Sequence, residues 1–250
     1  MSRTMKVGLV AVIAIAALGG AFWYFILRDD SPPPVSLDSA LDTIATSTPA
    51  ATSTTGTGDP APTATTAAEP AAGVEGDWAV DTSQETFVGY RVEEELAQIG
   101  ATTAVGRTPN VTGAISITDD AVAAGAQIVA DMTTLQSDSG LRDGQLRNQG
   151  IQFGQFPTAT FTLTEALQLP DGLEDGERVS ATLVGDFELH GVTQPVQIPV
   201  EAQLSNGFLV VVGSIVIEFA DYDIDAPQAA RVLSIEDNGI MEFQLFFSKA

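Results

Sequence analysis

The chain of 250 residues contains no cysteine and a single histidine, His190. The absence of cysteine excludes disulfides, thiolate nucleophiles, cysteine zinc sites, iron–sulfur clusters and a lipidated N-terminal cysteine. One histidine leaves little material for a metal site or for acid–base catalysis. We therefore expect a protein that is not an enzyme, with no catalytic residues, no metal and no cofactor.

Basic residues are also scarce, because 10 Lys and Arg stand against 33 Asp and Glu, which gives a net charge of −23. Binding to nucleic acid requires a basic surface that displaces counterions from phosphates, so nucleic acid is excluded as a partner. Hydrophobic residues nevertheless make up 44% of the chain. That share is ordinary for a packed domain and too high for a wholly disordered protein.

A long uncharged run extends from Val7 to Leu27. As a helix these 21 residues would be about 31 Å long, which matches the hydrocarbon core of a bilayer. Arg3 and Lys6 precede the run, so residues 1–6 are expected in the cytoplasm and the remainder outside it. Small residues at 17–21 also fit a cleaved signal peptide, but the apolar run continues past them. The sequence favours an uncleaved single-pass anchor in the cell membrane with an extracytoplasmic C-terminal part.

Residues 31–75 have a different composition, since 32 of the 45 are Thr, Ala, Pro or Ser. Such a segment buries too little apolar surface to offset its chain entropy. The composition predicts a disordered linker, whose ends would lie roughly 35–40 Å apart as a flexible coil. The folded part would then move freely near the membrane surface.

Residues 76–250 are expected to form one domain in which polarity alternates with a period of two. The alternation is clear in 158–164, 179–189, 196–204 and 241–247, and it predicts antiparallel strands with one buried face. Further strands are expected at 86–92, 111–118, 126–133 and 208–219, the last of which is apolar on both faces, and short helical turns are expected at 141–148 and at 93–99. About eight long antiparallel strands tend to close into a barrel with room for one ligand. The fold class is therefore all-β: an antiparallel barrel of about eight strands with one short helical segment.

Two polar features have a structural interpretation that we favour over a functional one. His190 adjoins Gly191 at an expected turn, and no G-x-S-x-G nucleophile motif accompanies it, so we expect a hydrogen-bonding role there. The acids of the DYDID run at 221–225 could bind calcium only with help from 236–238, because an EF-hand loop would require glycine at 226 and glutamate at 232. A solvated strand face is the simpler account of the acids, as is a solvated loop for Glu93 to Glu95.

Arg142 and Asp143 lie in the stretch SGLRDGQLRNQGIQF, which also contains Arg147 and is the one basic spot in the expected barrel. A helical Asp143–Arg147 ion pair is the simpler interpretation. The alternative is a polar clamp for a ligand head group at the mouth of the barrel, for which Arg142, Asp143 and His190 are the candidates.

Aromatic side chains are numerous for a domain whose other inward positions carry mid-sized aliphatics. Core packing alone would account for them, but in a hollow barrel they would line an apolar lumen. The candidate lumen residues are Phe87, Tyr90, Phe153, Phe156, Phe161, Phe187, Leu189, Phe219 and Phe243.

Three segments of the chain carry a family resemblance. The run LRDGQLRNQGIQFGQFPTATFTL resembles the pattern R-D-x-x-L-R-x-x-x-F-x-x-x-x-P-x-x-x-F of the YceI-like, polyisoprenoid-binding proteins. The segment GDFELHGVTQPVQIPV is similar to their G-x-L-T-x-H-G-V-T-x-P-V motif, with Phe187 and Glu188 in place of Leu-Thr, and DWAVD resembles their W-x-V-D start. The resemblance covers about residues 76–250. It implies a lipocalin-like barrel, exported in bacteria, that holds a long isoprenoid or another amphipathic lipid.

The expected function is therefore that of an exported, membrane-tethered binding protein that sequesters or carries a polyisoprenoid or similar lipid in its barrel. An alternative is an extracellular interaction or structural module whose barrel is filled by its own side chains. The size of the interior distinguishes the two. A chain of methylene groups gains about 0.8 kcal/mol for each CH₂ that leaves water, so a hollow apolar lumen suffices for tight binding.

Overall fold

The computed structural model describes residues 31–47, 73–97, 100–170, 172–226 and 232–250. The predicted cytoplasmic tip at 1–6 and the predicted anchor at 7–27 lie outside these ranges. Within them, no helix is both long enough and apolar enough to cross a membrane.

The described residues form two helices, fourteen strands and two turns of 3₁₀ helix. The helices are α1 (Leu37–Ser47) and α2 (Gly140–Asn148), and the 3₁₀ turns are Met132–Thr134 and Phe219–Tyr222. The strands are β1 (Gly76–Val80), β2 (Phe87–Leu96), β3 (Gly100–Thr108), β4 (Val111–Thr118), β5 (Ala121–Val122), β6 (Gln127–Asp131), β7 (Gln136–Ser137), β8 (Thr158–Leu163), β9 (Leu167–Gln168), β10 (Arg178–Leu189), β11 (Val192–Ser205), β12 (Phe208–Glu218), β13 (Val232–Ile235) and β14 (Asn238–Lys249).

Eight of these strands close into an antiparallel barrel, in the order β1, β4, β6, β8, β10, β11, β12 and β14. The ring closes at β1, which pairs with β4 on one side and with the end of β14 on the other. The first half of β14 pairs instead with β2, and β3 continues the wall from there. The all-β barrel predicted from the alternating pattern is confirmed, and α2 is the short helical segment predicted at 141–148. The prediction of a second helical turn at 93–99 is wrong, because Glu93 to Leu96 extend β2.

Two tight hairpins mark the ends of the barrel. Asn206 and Gly207 join β11 to β12 with φ of 52° and 82°, and His190 and Gly191 join β10 to β11 with φ of 55° and 76°. Two successive residues with positive φ are the signature of a type I′ turn, which matches the twist of the strands. We call the end of the barrel at Asn206 and Gly207 the hairpin end. The opposite end, at His190 and Gly191, is where α2 lies, and we call it the α2 end.

Helix α1 corrects the prediction of a disordered linker for residues 37–47, and the part of the predicted linker from 48 to 72 lies outside the described residues. Leu37, Ala40 and Ile44 recur at helical spacing, so they form one apolar stripe, and all three are buried. Ser36 precedes the helix and its hydroxyl accepts a hydrogen bond from the Ser39 amide at 3.3 Å. The composition of the segment, in which Ser, Thr and Ala dominate, predicts disorder and does not reveal this helical spacing.

The apolar stripe of α1 covers the outside of the barrel. It packs against Val210, Val212 and Phe246, which are fully or almost fully buried on the outer faces of β12 and β14. This explains why β12 is apolar on both faces: one face lines the barrel interior and the other lies under α1. At the rim of the contact Arg178 pairs with Asp38.

The residues before α1 form a strap, residues 31–36, that crosses the outer wall beside β2 and β3. Arg91 donates a hydrogen bond to the Pro32 carbonyl at 2.7 Å, and Arg107 donates one to the Pro33 carbonyl at 3.3 Å. Both arginines also contact Glu242, which is completely buried, at 3.7 Å and 2.8 Å. A buried carboxylate needs such partners, so the charge cluster and the strap stabilise each other.

Candidate ligand cavity

The interior of the barrel is hollow and contains two adjoining cavities. The hairpin cavity, of about 140 Å³, lies toward the hairpin end, and the α2 cavity, of about 100 Å³, lies toward α2. The side chains common to both are Val88, Ala159, Phe187 and Met241, which therefore stand at their junction. The two cavities follow one another along a single lumen.

Small inward residues account for the empty space. Inward positions that would fill a solid core with Leu or Phe carry alanine, namely Ala126, Ala130, Ala159, Ala181 and Ala202. Gly185 has a similar effect, because an ideal Cβ there would lie 2.5 Å from the Phe161 ring. Phe161 consequently lies flat along the wall, opposite Phe187 in the register of β8 and β10.

The hairpin cavity is almost wholly apolar. Among its described lining residues only Gln203 is polar. Water in such a space would lack the hydrogen-bond partners that it needs, so the cavity favours a hydrocarbon occupant.

The α2 cavity ends in a polar cluster. Arg142, near the start of α2, donates hydrogen bonds to Glu94 of β2 and to Asp138, and Glu94 is 7% exposed. Burial disfavours the charge on Arg142, but the hydrogen bonds and negative charges of Glu94 and Asp138 outweigh it and raise the pKa of the arginine. Glu94, expected on a solvated loop, is thus a buried partner of Arg142.

Tyr90 lies beside this cluster with its hydroxyl unpaired. Its ring lies across the backbone of Gly106, where an ideal Cβ would be 2.4 Å from the ring, so that only glycine fits. The hydroxyl is buried and makes no hydrogen bond of normal geometry within the described part of the chain, and the opposing effect of the nearby Ser137 side chain on its pKa is smaller than that of burial. Burial raises the pKa of Tyr90, which keeps the phenol protonated and able to donate.

The two other residues predicted at the polar mouth support loops. Asp143 accepts hydrogen bonds from the Ser137 amide at 3.0 Å and from the Ser137 hydroxyl at 2.7 Å. His190 Nδ1 lies 2.9 Å from the Tyr222 carbonyl, and because a carbonyl can only accept, Nδ1 carries the proton. Neither side chain lines either cavity, whereas Arg142 lines the α2 cavity.

Six of the nine predicted lumen residues line the cavities, and three do not. Phe161, Phe187 and Phe243 line the hairpin cavity, and Tyr90, Phe187, Leu189 and Phe219 line the α2 cavity. Phe87, Phe153 and Phe156 line neither cavity.

Each of the three exceptions has a local reason. Phe87 lies on the outer face, because Val88 and Tyr90 point inward, and the Arg107 guanidinium stands 4.0 Å from its ring centre. Phe153 is buried in the loop that follows α2, next to Arg147. Phe156 packs edge-on against His190 with 4.5 Å between ring centres.

The acidic run at 221–225 does not gather into a metal site. Within the described ranges, no three or more His, Asp or Glu side chains are grouped so that they could hold a metal ion. Instead of a strand, the run begins in a 3₁₀ turn, and its buried members are Tyr222 and Ile224.

Comparison with known proteins agrees with this architecture. Residues 78–247 match the YceI-like domain. The chain belongs to the YceI-like family. A UPF0312 protein of Vibrio vulnificus is 28% identical over 181 residues, which are 68% of this chain and 88% of that protein. A second UPF0312 protein, from Vibrio parahaemolyticus, is 26% identical over the same shares of both chains.

Among solved structures, a polyisoprenoid binding domain from Saccharophagus degradans has the same fold, with a TM-score of 0.55. It is 22% identical in sequence and covers 69% of this chain and 98% of its own. The resemblance found in the sequence motifs is thereby confirmed for the family and for the fold.

Proposed function

We propose that this YceI-like protein is a membrane-anchored, extracytoplasmic carrier that holds a polyisoprenoid or similar amphipathic lipid in its barrel. The single observation that carries the proposal is the hollow lumen, apolar along the hairpin cavity and polar at its α2 end. The polyisoprenoid-binding relative of the same fold supports the choice of lipid class. The alternative of a filled structural module is not favoured, because alanines leave the interior empty.

The polar end of the lumen is where we place the lipid head group. Arg142 is occupied by Glu94 and Asp138, so the unpaired hydroxyl of Tyr90 is the donor available to a ligand. An alcohol or phosphate oxygen at this position would satisfy a buried group that is otherwise costly. The hydrocarbon chain would extend toward the hairpin end.

The two cavities are small for a long chain. Each is comparable to a cavity of about 150 Å³ that holds one benzene, and smaller than the roughly 300–1,000 Å³ of typical ligand pockets. A long isoprenoid therefore requires the cavities to merge and widen. Met241 and Phe187 stand at the junction, and methionine adapts its shape at low cost, so we expect this pair to move.

The proposal is tested by extracting purified residues 31–250 with organic solvent and identifying the bound lipid by mass spectrometry. An Ala159→Leu variant narrows the junction and should lose most of the long-chain lipid. Thr160→Leu, on the outer face of the same strand, is the matched control and should retain it. The carrier function would be rejected if native protein yields no lipid and takes up neither polyprenols nor quinones.

A further inference from the structure

We propose that the strap and α1 orient the barrel on the membrane, so that the α2 end of the lumen faces the bilayer. This inference rests on the anchor at 7–27 in the proposed function. It replaces the picture of a barrel that moves freely on a long linker.

Only a short length of chain separates the predicted anchor from the barrel wall. Leu27 is the last residue of the predicted span, and Pro32 is already hydrogen-bonded to Arg91. Five residues reach at most about 17 Å when fully extended. The wall of the barrel around Arg91 must therefore lie close to the membrane surface. The Thr-, Ala- and Pro-rich stretch after Ser47 joins α1 to β1 and adds nothing to this distance.

The strap contacts the barrel wall nearer to the α2 end than to the hairpin end. Arg91 lies three residues before Glu94 on β2, or about 10 Å along the strand. Glu94 is the partner of Arg142 at the polar end of the lumen. The strap then continues into α1, whose Asp38 pairs with Arg178 at the beginning of β10, toward the hairpin end. The chain from the anchor thus arrives on the half of the wall nearer to α2.

Exposed apolar side chains lie in the same region of the barrel. Val216, Leu233 and Ile240 are 57%, 65% and 38% exposed. Ile240 is directly opposite Arg91 on one side and Val216 on the other. Leu233 lies in β13, which pairs with the last residues of β2. On α2 itself, Leu141 is 81% exposed.

We call Leu141, Val216, Leu233 and Ile240 the apolar rim. Val216 and Ile240 are cross-strand neighbours on the outer face, and adjacent exposed side chains of this size mark a contact surface. The end of the structured chain nearest the rim leads directly to a predicted membrane span, so the occupant we assign to the rim is the lipid bilayer. A lipid could then pass between the bilayer and the α2 cavity without crossing a layer of water.

Acidic side chains around the rim set its lipid preference. Glu93 and Glu95 on β2, Glu218 at the end of β12, and Glu236 and Asp237 before β14 all lie at this end. Their charge repels an anionic surface. The contact should therefore be closer on neutral lipid than on anionic lipid.

The test uses the full chain in phosphatidylcholine vesicles with an environment-sensitive fluorophore on one introduced cysteine. Because the chain has no cysteine of its own, each label is unique. Val216→Cys and Leu233→Cys place it on the rim, and Asn206→Cys places it at the hairpin end as the matched control. We expect blue-shifted emission and quenching by a lipid-borne quencher at 216 and 233, but not at 206. Vesicles with anionic lipid should reduce the effect.

A pair of insertions separates orientation by the strap from simple tethering. A Gly/Ser insertion of about 20 residues between Asp30 and Ser31 adds roughly 25 Å of flexible chain and should abolish the difference between rim and control labels. The same insertion between residues 57 and 58 should leave it unchanged, because both ends of that stretch join the same domain. Equal effects of the two insertions would overturn the proposal.

Vesicle flotation distinguishes failure of this proposal from failure of the anchor. If the full chain floats with the vesicles but the three labels respond alike, the orientation is wrong and the anchoring stands. If the chain does not float, the anchor is wrong and the orientation falls with it. Lipid extraction from residues 31–250 tests the carrier function independently of both results.

Discussion

The hydroxyl of Tyr90 is the most informative single group in the lumen, because it is buried and unpaired while its neighbours are paired. In Tyr90→Phe we expect the free energy of unfolding at pH 7 to change by less than about 1 kcal/mol, since no hydrogen bond is lost. Retained lipid should nevertheless decrease. Chemical unfolding and lipid extraction on the same preparation provide the two measurements. A large loss of stability would show that the hydroxyl has a structural partner.

The same residue predicts a response to alkaline pH. A tyrosine in the unfolded chain has a pKa of about 10, and burial raises the pKa of Tyr90 in the folded protein. The folded state therefore holds this proton more tightly, and the resulting stability is complete below about pH 10 and is lost as pH rises further. Burial also raises the pKa of Tyr222, to about 12. We expect melting temperature to fall above pH 10, and to fall less steeply in Tyr90→Phe.

Arg142 also stabilises the fold, and its contribution to the free energy of unfolding can be measured separately from lipid binding. Arg142→Met leaves Glu94 buried without its cation, which should cost about 3 kcal/mol. The double variant Arg142→Met with Glu94→Met removes both charges and should recover most of that loss. Urea unfolding of the three proteins gives the comparison. If the single and double variants are equally unstable, the pair is not what holds α2 to β2.

At the scale of the element, α1 provides the clearest energetic test. Leu37 of α1 is completely buried against the barrel wall, so Leu37→Ala should cost about 3 kcal/mol in the free energy of unfolding. Leu41 is on the same helix but only partly buried, so Leu41→Ala is the matched control. It should lower the free energy of unfolding by about 1 kcal/mol. Urea unfolding of residues 31–250 measures both. Small and equal effects would mean that α1 does not dock in solution.

How much of each element could be predicted depended on whether its pattern was local. The alternation in β10, β11 and β14 predicted strands correctly, and Asn206–Gly207 predicted the tight turn between β11 and β12. The spacing of Leu37, Ala40 and Ile44 was equally local, but the surrounding Ser, Thr and Pro residues outweighed it. The double-sided apolar character of β12 was a second indication that something covers its outer face.

The candidate site was less predictable, because its contacts join distant parts of the chain. Tyr90 and Arg142 are both predicted from the sequence, yet the buried partner of Arg142 is Glu94, 48 positions away. No local pattern links those two residues. Phe87 was placed inside because it is aromatic, although the phase of β2 turns Val88 and Tyr90 inward instead. The emptiness of the lumen follows from alanines on four strands and just before one of them, which only the closed barrel brings together.

For the whole molecule, the net charge of −23 predicts a dependence on ionic strength. Like charges on a compact surface repel one another, and this repulsion weakens as the Debye length falls from about 30 Å at 0.01 M salt to about 3 Å at 1 M. We expect the melting temperature to rise with added NaCl. Buried pairs such as Arg142–Glu94 are screened far less, so they should not reverse the trend. A melting temperature that falls with salt would contradict this expectation.

The docking of α1 also changes what a broken peptide bond would mean for this protein. Ser47 and Gly73 both belong to one domain, so the chain between them connects two parts of the same folded unit. Proteolysis there would yield two fragments that remain joined by the contacts of Leu37, Ala40 and Ile44 and by the arginine bonds to the strap. After such a cleavage, no covalent bond would join the barrel to the N-terminal fragment that contains α1. A dissociation constant would then determine whether the two fragments separate.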